Sequence, residues 1–202
     1  MTTTLDQATA AALNLRLQAC LADSDYQDDL HGLHVCRLAL DALEQGNYGV
    51  AAILIDPQGE VIAQSENRVF SCVTHNKVDY ARGSVSYSSR AHAEMLLIDQ
   101  LEEGFLPYAP EQLTMLVTLE PCPMCTARLL LSGIGSVRYI ANDPEGGMLR
   151  HVDKLPPAWT NLAQLQNHYH AHVSAPVRQL ATDIGVANLT ALRAQLVQQI
   201  RP

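Results

Sequence analysis

Two short strings, His92-Ala93-Glu94 and Pro121-Cys122-Pro123-Met124-Cys125, restrict this chain more than any other feature of it. Proline suits a helix start, where its missing N–H leaves no bond unmade. Cys122 and Cys125 are three apart, so on a first helical turn both sulfurs face one way. The positive end of the helix dipole there favours thiolate, the metal-binding form. Alone, the Cys-x-x-Cys pair is open to three readings: zinc ligation, a redox dithiol, or coincidence. His92-Ala93-Glu94 begins a second predicted helix, and a two-residue step rotates the side chains by about 200°. The imidazole and the carboxylate therefore need not share a job. Taken together the strings say more. One histidine and two cysteines supply three zinc ligands and leave the fourth tetrahedral position to water, the pattern of working rather than structural sites. Glu94, near the metal but not bound to it, is a general acid/base. Such a site demands a fold that brings two helix starts together across one strand-length spacer.

The rest of the chain supplies that spacer. Leu13, Leu17 and Leu21 recur at helical spacing within a helix expected over Leu5–Ala22, and Asp28 or Asp29 caps a second helix that Gly46-Asn47 stops. Val50–Ile55 reads as a strand, Asp56-Pro57-Gln58-Gly59 as a turn, and Glu60–Ser65 as the returning strand of a hairpin. A helix over Ala91–Glu103, a strand at Leu113–Leu119, a helix after Pro121 and a strand at Ser136–Ala141 follow. The alternation predicts an α/β fold, a three-layer α/β/α arrangement on a mixed sheet of about five strands. The expected organisation is one domain over 1–202, with its core at about 47–141, helices at 4–45 and an elaboration over 142–202.

Bulk properties exclude several classes. Nearly half the residues are apolar and 17% are charged, so the chain can bury a core and is not a disordered sequence. No apolar run reaches the roughly 18 residues of a membrane span. The N-terminus lacks the basic start of an export signal, and the expected compartment is the cytoplasm. A net charge of −8 argues against a protein whose main task is to hold a nucleic-acid backbone. Five cysteines, at 20, 36, 72, 122 and 125, read as thiols in a reducing compartment.

His92-Ala93-Glu94 followed by Val117-Thr118-Leu119-Glu120-Pro121-Cys122-Pro123-Met124-Cys125 resembles the cytidine deaminase superfamily, whose zinc enzymes carry a His-x-Glu and Pro-Cys-x-x-Cys signature. The wording resembles the branch of tRNA adenosine, guanine and fungal-type cytosine deaminases, over about Asn47–Ala141. The resemblance implies Zn²⁺ on His92, Cys122 and Cys125, and proton shuttling by Glu94. It implies base contacts from Asn67, from the Ala93 N–H and from the Glu120 carbonyl, and a homodimer. The implied reaction is hydrolytic removal of a ring amine with release of ammonia.

The substrate is less legible. A small nucleobase or nucleoside is the first expectation, because the segment from Leu189 holds only two basic residues, Arg193 and Arg201. Adenosine in tRNA is the alternative, and a non-catalytic structural zinc module, with Cys72 as fourth ligand, the remote one. In the loop over Arg68–Arg90, Arg68, Arg82 and Arg90 are candidates for ribose or phosphate recognition, against the alternative of a solvated surface loop. Trp159, Tyr169 and the alternating His168, His170 and His172 are candidates to finish the pocket; for the histidines, a solvated face is the plainer reading and a second metal site the rarer one.

Overall fold

Ala51–Ile55 forms β1, and burial of all five of its residues places it in the middle of the fold. The computed structural model describes residues 7–71, 88–104 and 108–200. Ahead of β1 come α1 (Gln7–Ala19) and α2 (Asp29–Glu44), and after it β2 (Val61–Glu66). Then follow α3 (Ala93–Glu102), β3 (Thr114–Leu119), α4 (Pro123–Ser132), β4 (Ser136–Ala141), α5 (Pro157–Ala163), β5 (Asn167–His170), α6 (Ala175–Val186) and α7 (Leu189–Ile200). The strands pair in the order β2-β1-β3-β4-β5, with β1 antiparallel to both neighbours and β3, β4 and β5 parallel. This is the expected mixed α/β sheet.

Strand alternation distributes the core to two sides. Ala51, Ile53 and Ile55 of β1, Leu116 of β3 and Ile140 of β4 pack with α1, α2 and α6. Ala52, Leu54, Met115, Val117 and Val137 pack with α3 and α4. Helices therefore cover both faces of the sheet, which is what an apolar run such as Ala-Ala-Ile-Leu-Ile needs. At roughly 25 cal/mol per Å² of apolar surface, each fully buried Leu or Ile here stabilises the fold by about 1.5–3 kcal/mol.

The turn of the β1–β2 hairpin forms as expected. Gly59 N–H donates to the Asp56 carbonyl at 3.1 Å, while Asp56 Oδ1 accepts from the backbone N–H of Gln58 and Glu60. Helix α4 ends where Gly133 takes φ +75°, a left-handed position that a side chain would strain. Two expectations need correcting. Leu21 lies beyond α1 and is exposed, because the helix stops at Ala19 and only Leu13 and Leu17 reach the core. Neither Asp28 nor Asp29 caps α2 through its side chain; both carboxylates bond to distant chain. Asn167–His170, read as part of an elaboration, becomes the fifth strand of the sheet.

Candidate metal and active site

The site grows from the starts of α3 and α4. His92 occupies the N-cap of α3 and Cys122 the N-cap of α4, both in extended backbone, with Pro123 as the first residue of α4. These are positions where Ser, Thr or Asp usually accept a backbone N–H. Neither side chain does so here. They turn instead toward one another and toward Cys125 in the first turn of α4. His92 Nδ1 lies 3.7 Å from Cys122 Sγ and 3.5 Å from Cys125 Sγ. Zinc–sulfur bonds of about 2.3 Å and zinc–nitrogen bonds of about 2.0–2.1 Å at the tetrahedral angle require roughly 3.6 Å between these atoms. All three ligand atoms fall within 4.8 Å of one another, and no other such cluster occurs among the described residues. The residues fit a zinc ion with three protein ligands.

Electrostatics within the cluster prepare one ligand, Cys122, and leave protons on the other two for a metal to displace. The S–H of Cys125, then His92, hold the Cys122 thiol down at about 4, in the thiolate form. Cys125 itself is pushed well above its ordinary value, because it donates to Cys122 and is buried. His92 rises despite its desolvation, drawn up by Cys122 and by Glu94. Two sulfurs, one already ionised, at the N-terminus of a helix form a ready cation site.

Glu94, in the first turn of α3, is 3% exposed. Its Oε2 is buried and has no hydrogen-bond partner among the described residues. Burial, followed by the charge of Cys122, raises its carboxyl above the usual range. A carboxylate left this way is placed to take up a proton rather than to hold structure. His92, Glu94 and Cys122 line one cavity of about 250 Å³, together with Asn67 and Glu120.

Asn67 follows β2, is buried, and accepts the Val69 N–H at Oδ1 (3.1 Å). The Glu120 carboxylate is already committed to the Arg150 guanidinium (2.7 Å) and to the Arg150 and Asp143 N–H groups. Ala93 is fully buried at the start of α3, its methyl in the core and not in the cavity wall.

Not every candidate is brought to the cavity. Arg68 pairs with Glu66 at 2.7 Å and is half exposed; neither it nor Arg90 lines the cavity. Arg82 and Cys72 lie outside the described residues. Trp159, Tyr169 and the three histidines do not finish this pocket. Tyr169 accepts from Arg138, His170 packs on the Tyr139 ring, and His172 stacks on Tyr26. The wall comes instead from residues that sequence reasoning passed over: Tyr48, Asp143 and, on α7, Leu189, Arg193 and Leu196. None of these carries a local motif.

Comparison with known proteins agrees with this geometry. Residues 27–141 match the family model of the cytidine and deoxycytidylate deaminase zinc-binding region, which begins about twenty residues earlier than the motifs suggested and takes in α2. The tRNA-specific adenosine deaminase of Bacillus subtilis (strain 168) is 36% identical over 121 residues, covering 60% of this chain and 66% of that protein. That of Aquifex aeolicus is 34% identical over 111 residues, 55% of this chain and 64% of its own length. The chain thus spans a little under two thirds of these relatives. A structure from work on A-to-I editing by tRNA:A34 deaminases superposes with a TM-score of 0.55 at 24% identity, over 77% of this chain and 99% of that one. A guanine deaminase from Nitrosomonas europaea gives 0.51 at 19% identity, over 82% and 86%. At these identities the two structures show a shared fold.

Proposed function

The chain belongs to the cytidine and deoxycytidylate deaminase family through the zinc-binding region at 27–141, and from that membership we propose that it is a zinc-dependent hydrolytic deaminase of a nucleobase-type ring. The observation that carries the reading is Glu94, buried beside the three ligands with an unpartnered oxygen in the same cavity. A zinc ion held by His92, Cys122 and Cys125 would lower the pKa of water to near 7 and so would supply hydroxide at neutral pH. Glu94 accepts the proton released there and returns protons to the ring nitrogen and then to the departing amine. Asn67 hydrogen-bonds the ring. The Ala93 N–H and the Glu120 carbonyl contact the ring and the leaving ammonia.

Free bases or nucleosides are the first substrate class. The tRNA-specific adenosine deamination of the Bacillus and Aquifex relatives favours a second, adenosine within tRNA. An ammonia-release panel of cytosine, cytidine, guanine, adenine, adenosine, dCMP, pterins and triazines tests the chemistry. A fluorescence titration with an anticodon stem-loop at two salt concentrations tests the second class, because phosphate contacts weaken steeply with salt. No ammonia from any compound, and none from the stem-loop, would end the deaminase reading.

The same proposal takes 1–202 as one domain working as a cytoplasmic homodimer. Sedimentation velocity at micromolar concentration checks the assembly. Arg82 and Arg90 remain proposed contributors to substrate recognition, and replacing both by Ala then raises KM.

A further inference from the structure

Helix α7 lies outside the stretch that the family model matches, yet it contributes Leu189, Arg193 and Leu196 to the wall of the cavity that holds Glu94. The helix is fastened at its start. Asn188 is buried and its Nδ2 donates to the Asn47 carbonyl at 2.7 Å, just ahead of Tyr48 in the same cavity wall. Farther along, Leu192 is 2% exposed. Arg193 then reaches the turn that follows β4. Its Nη2 donates to Asp143 Oδ2 at 3.0 Å and its Nη1 to Glu145 Oε2 at 2.8 Å. An added Cβ at Gly146 would stand 2.5 Å from the guanidinium and 2.7 Å from Asp143, so a side chain there would push the pair aside.

Counting donors and charges shows what this cluster offers a ligand. Asp143 is occupied on both oxygens, Oδ1 by the N–H groups of Glu145 and Gly146 and Oδ2 by Arg193. A guanidinium carries five N–H groups, and the two ion pairs engage one on each terminal nitrogen. Three remain beyond them on a side chain that lines the cavity and is 34% exposed. The charges do not favour an anion. One guanidinium faces two carboxylates, so the cluster is net negative where a sugar phosphate would need it positive. Nothing else in α7 reverses this, since the described part of the helix has no second basic residue.

We propose that Arg193 is a specificity-determining residue that donates to the ring-nitrogen, carbonyl or sugar-hydroxyl acceptors of an uncharged base or nucleoside, while its two carboxylate partners disfavour the same ring carrying phosphate. The identity of the ring rests on the deaminase reading above; the contact itself does not.

Calorimetric titration of the zinc-loaded protein with adenine, guanosine, cytosine, adenosine and cytidine, and with the matching 5′-monophosphates, tests it. Wild type binds at least one uncharged ring about tenfold or more tightly than its monophosphate. Arg193→Ala loses about tenfold or more on that ring, the scale of one charge-assisted hydrogen bond, with zinc content unchanged. Arg193→Lys, which keeps the charge and the helix, recovers part of the loss. Glu145→Gln, at a largely exposed position, narrows the gap between ring and monophosphate. Unchanged affinity in Arg193→Ala, a wild type that prefers the monophosphates, or one that binds none of the rings would each overturn the proposal. If Arg193→Ala fails to fold, the lysine and Glu145→Gln proteins decide by the same criteria. Ammonia release measured alongside separates the two readings. Binding that depends on Arg193 without release sinks the deaminase and leaves the contact, and release indifferent to Arg193 does the reverse.

Discussion

A carboxylate oxygen without a partner costs free energy when it is buried, by about 1–3 kcal/mol. Glu94 bears that cost beside three metal ligands, which is why its role is argued from chemistry and not from stability. Glu94→Gln is expected to keep one zinc per chain, read by atomic absorption, while ammonia release falls by about 10²- to 10⁴-fold. A variant with full turnover would refute the proton shuttle. Cys36 shows the opposite use of burial. It sits on the buried face of α2, and desolvation, followed by the nearby Cys20, pushes its thiol up from 9.0 to about 12. Because the folded state holds this proton more tightly, its contribution is complete below pH 9 and is lost as pH climbs toward 12. Urea unfolding at pH 8.5, 9.5 and 10.5 therefore shows the advantage of wild type over Cys36→Ala shrinking, by about 1.4 kcal/mol per pH unit above 9. A gap independent of pH would contradict it. The two residues also differ in legibility. Glu94 stands in a motif whose spacing gives it away, whereas Cys36 reads only as one more buried hydrophobe.

At the scale of elements, α2 is held in place by side chains that its sequence assigned to another task. Asp28 accepts Arg138 of β4 at 2.6 Å and the His172 N–H at 2.8 Å. Asp29 accepts the Ser174 N–H at 2.7 Å and the Asp23 N–H at 3.0 Å. An acidic pair before an apolar helix is correctly read as a start signal, and α2 does start there. The same oxygens also suit any N–H or guanidinium that the tertiary fold delivers, and here chain more than a hundred residues away delivers three of the four donors. Removing one partner of a buried ion pair costs about 3–5 kcal/mol, and partial exposure of Arg138 reduces that. Asp28→Ala should lose about 2–4 kcal/mol in urea unfolding, whereas loss of a simple cap costs about 1 kcal/mol. A loss below 1 kcal/mol would mean that the fastening to β4 and β5 contributes little. The strands show the reverse situation. The bounds of β1 to β4 came within a residue of expectation, because alternation and turn residues are local properties of the chain.

Over the whole molecule, the metal site joins α3 to α4 across β3, so the ion is part of the fold's connectivity as well as of its chemistry. Zinc that binds the folded chain and not the unfolded one stabilises it by about 2.7 kcal/mol at one hundred times the Kd. For a chain of this length that corresponds to roughly 5–10 °C in Tm. Dialysis against a chelator should lower Tm by this order, and zinc should restore it; no change on chelation would leave the three ligands without a structural consequence. No helix among the described residues is long and apolar enough to cross a membrane; the face of the sheet away from the metal packs against α1, α2 and α6.

The amino-acid sequence by itself pointed to the three ligands, the proposed general acid/base and the strand between the two helix starts. They are written in two short strings, His92–Glu94 and Val117–Cys125, each under a dozen residues long. The tertiary structure alone decided what encloses the cavity. Tyr48, Asp143 and Arg193 meet across 145 positions of chain, and no periodicity connects them. Arg193 looked like a scarce charge on a polar tail and became part of the cavity wall. A motif states which atoms react, through local geometry. The wall is chosen by long-range packing, which depends on how α7 settles against the segment before β1 and the turn after β4.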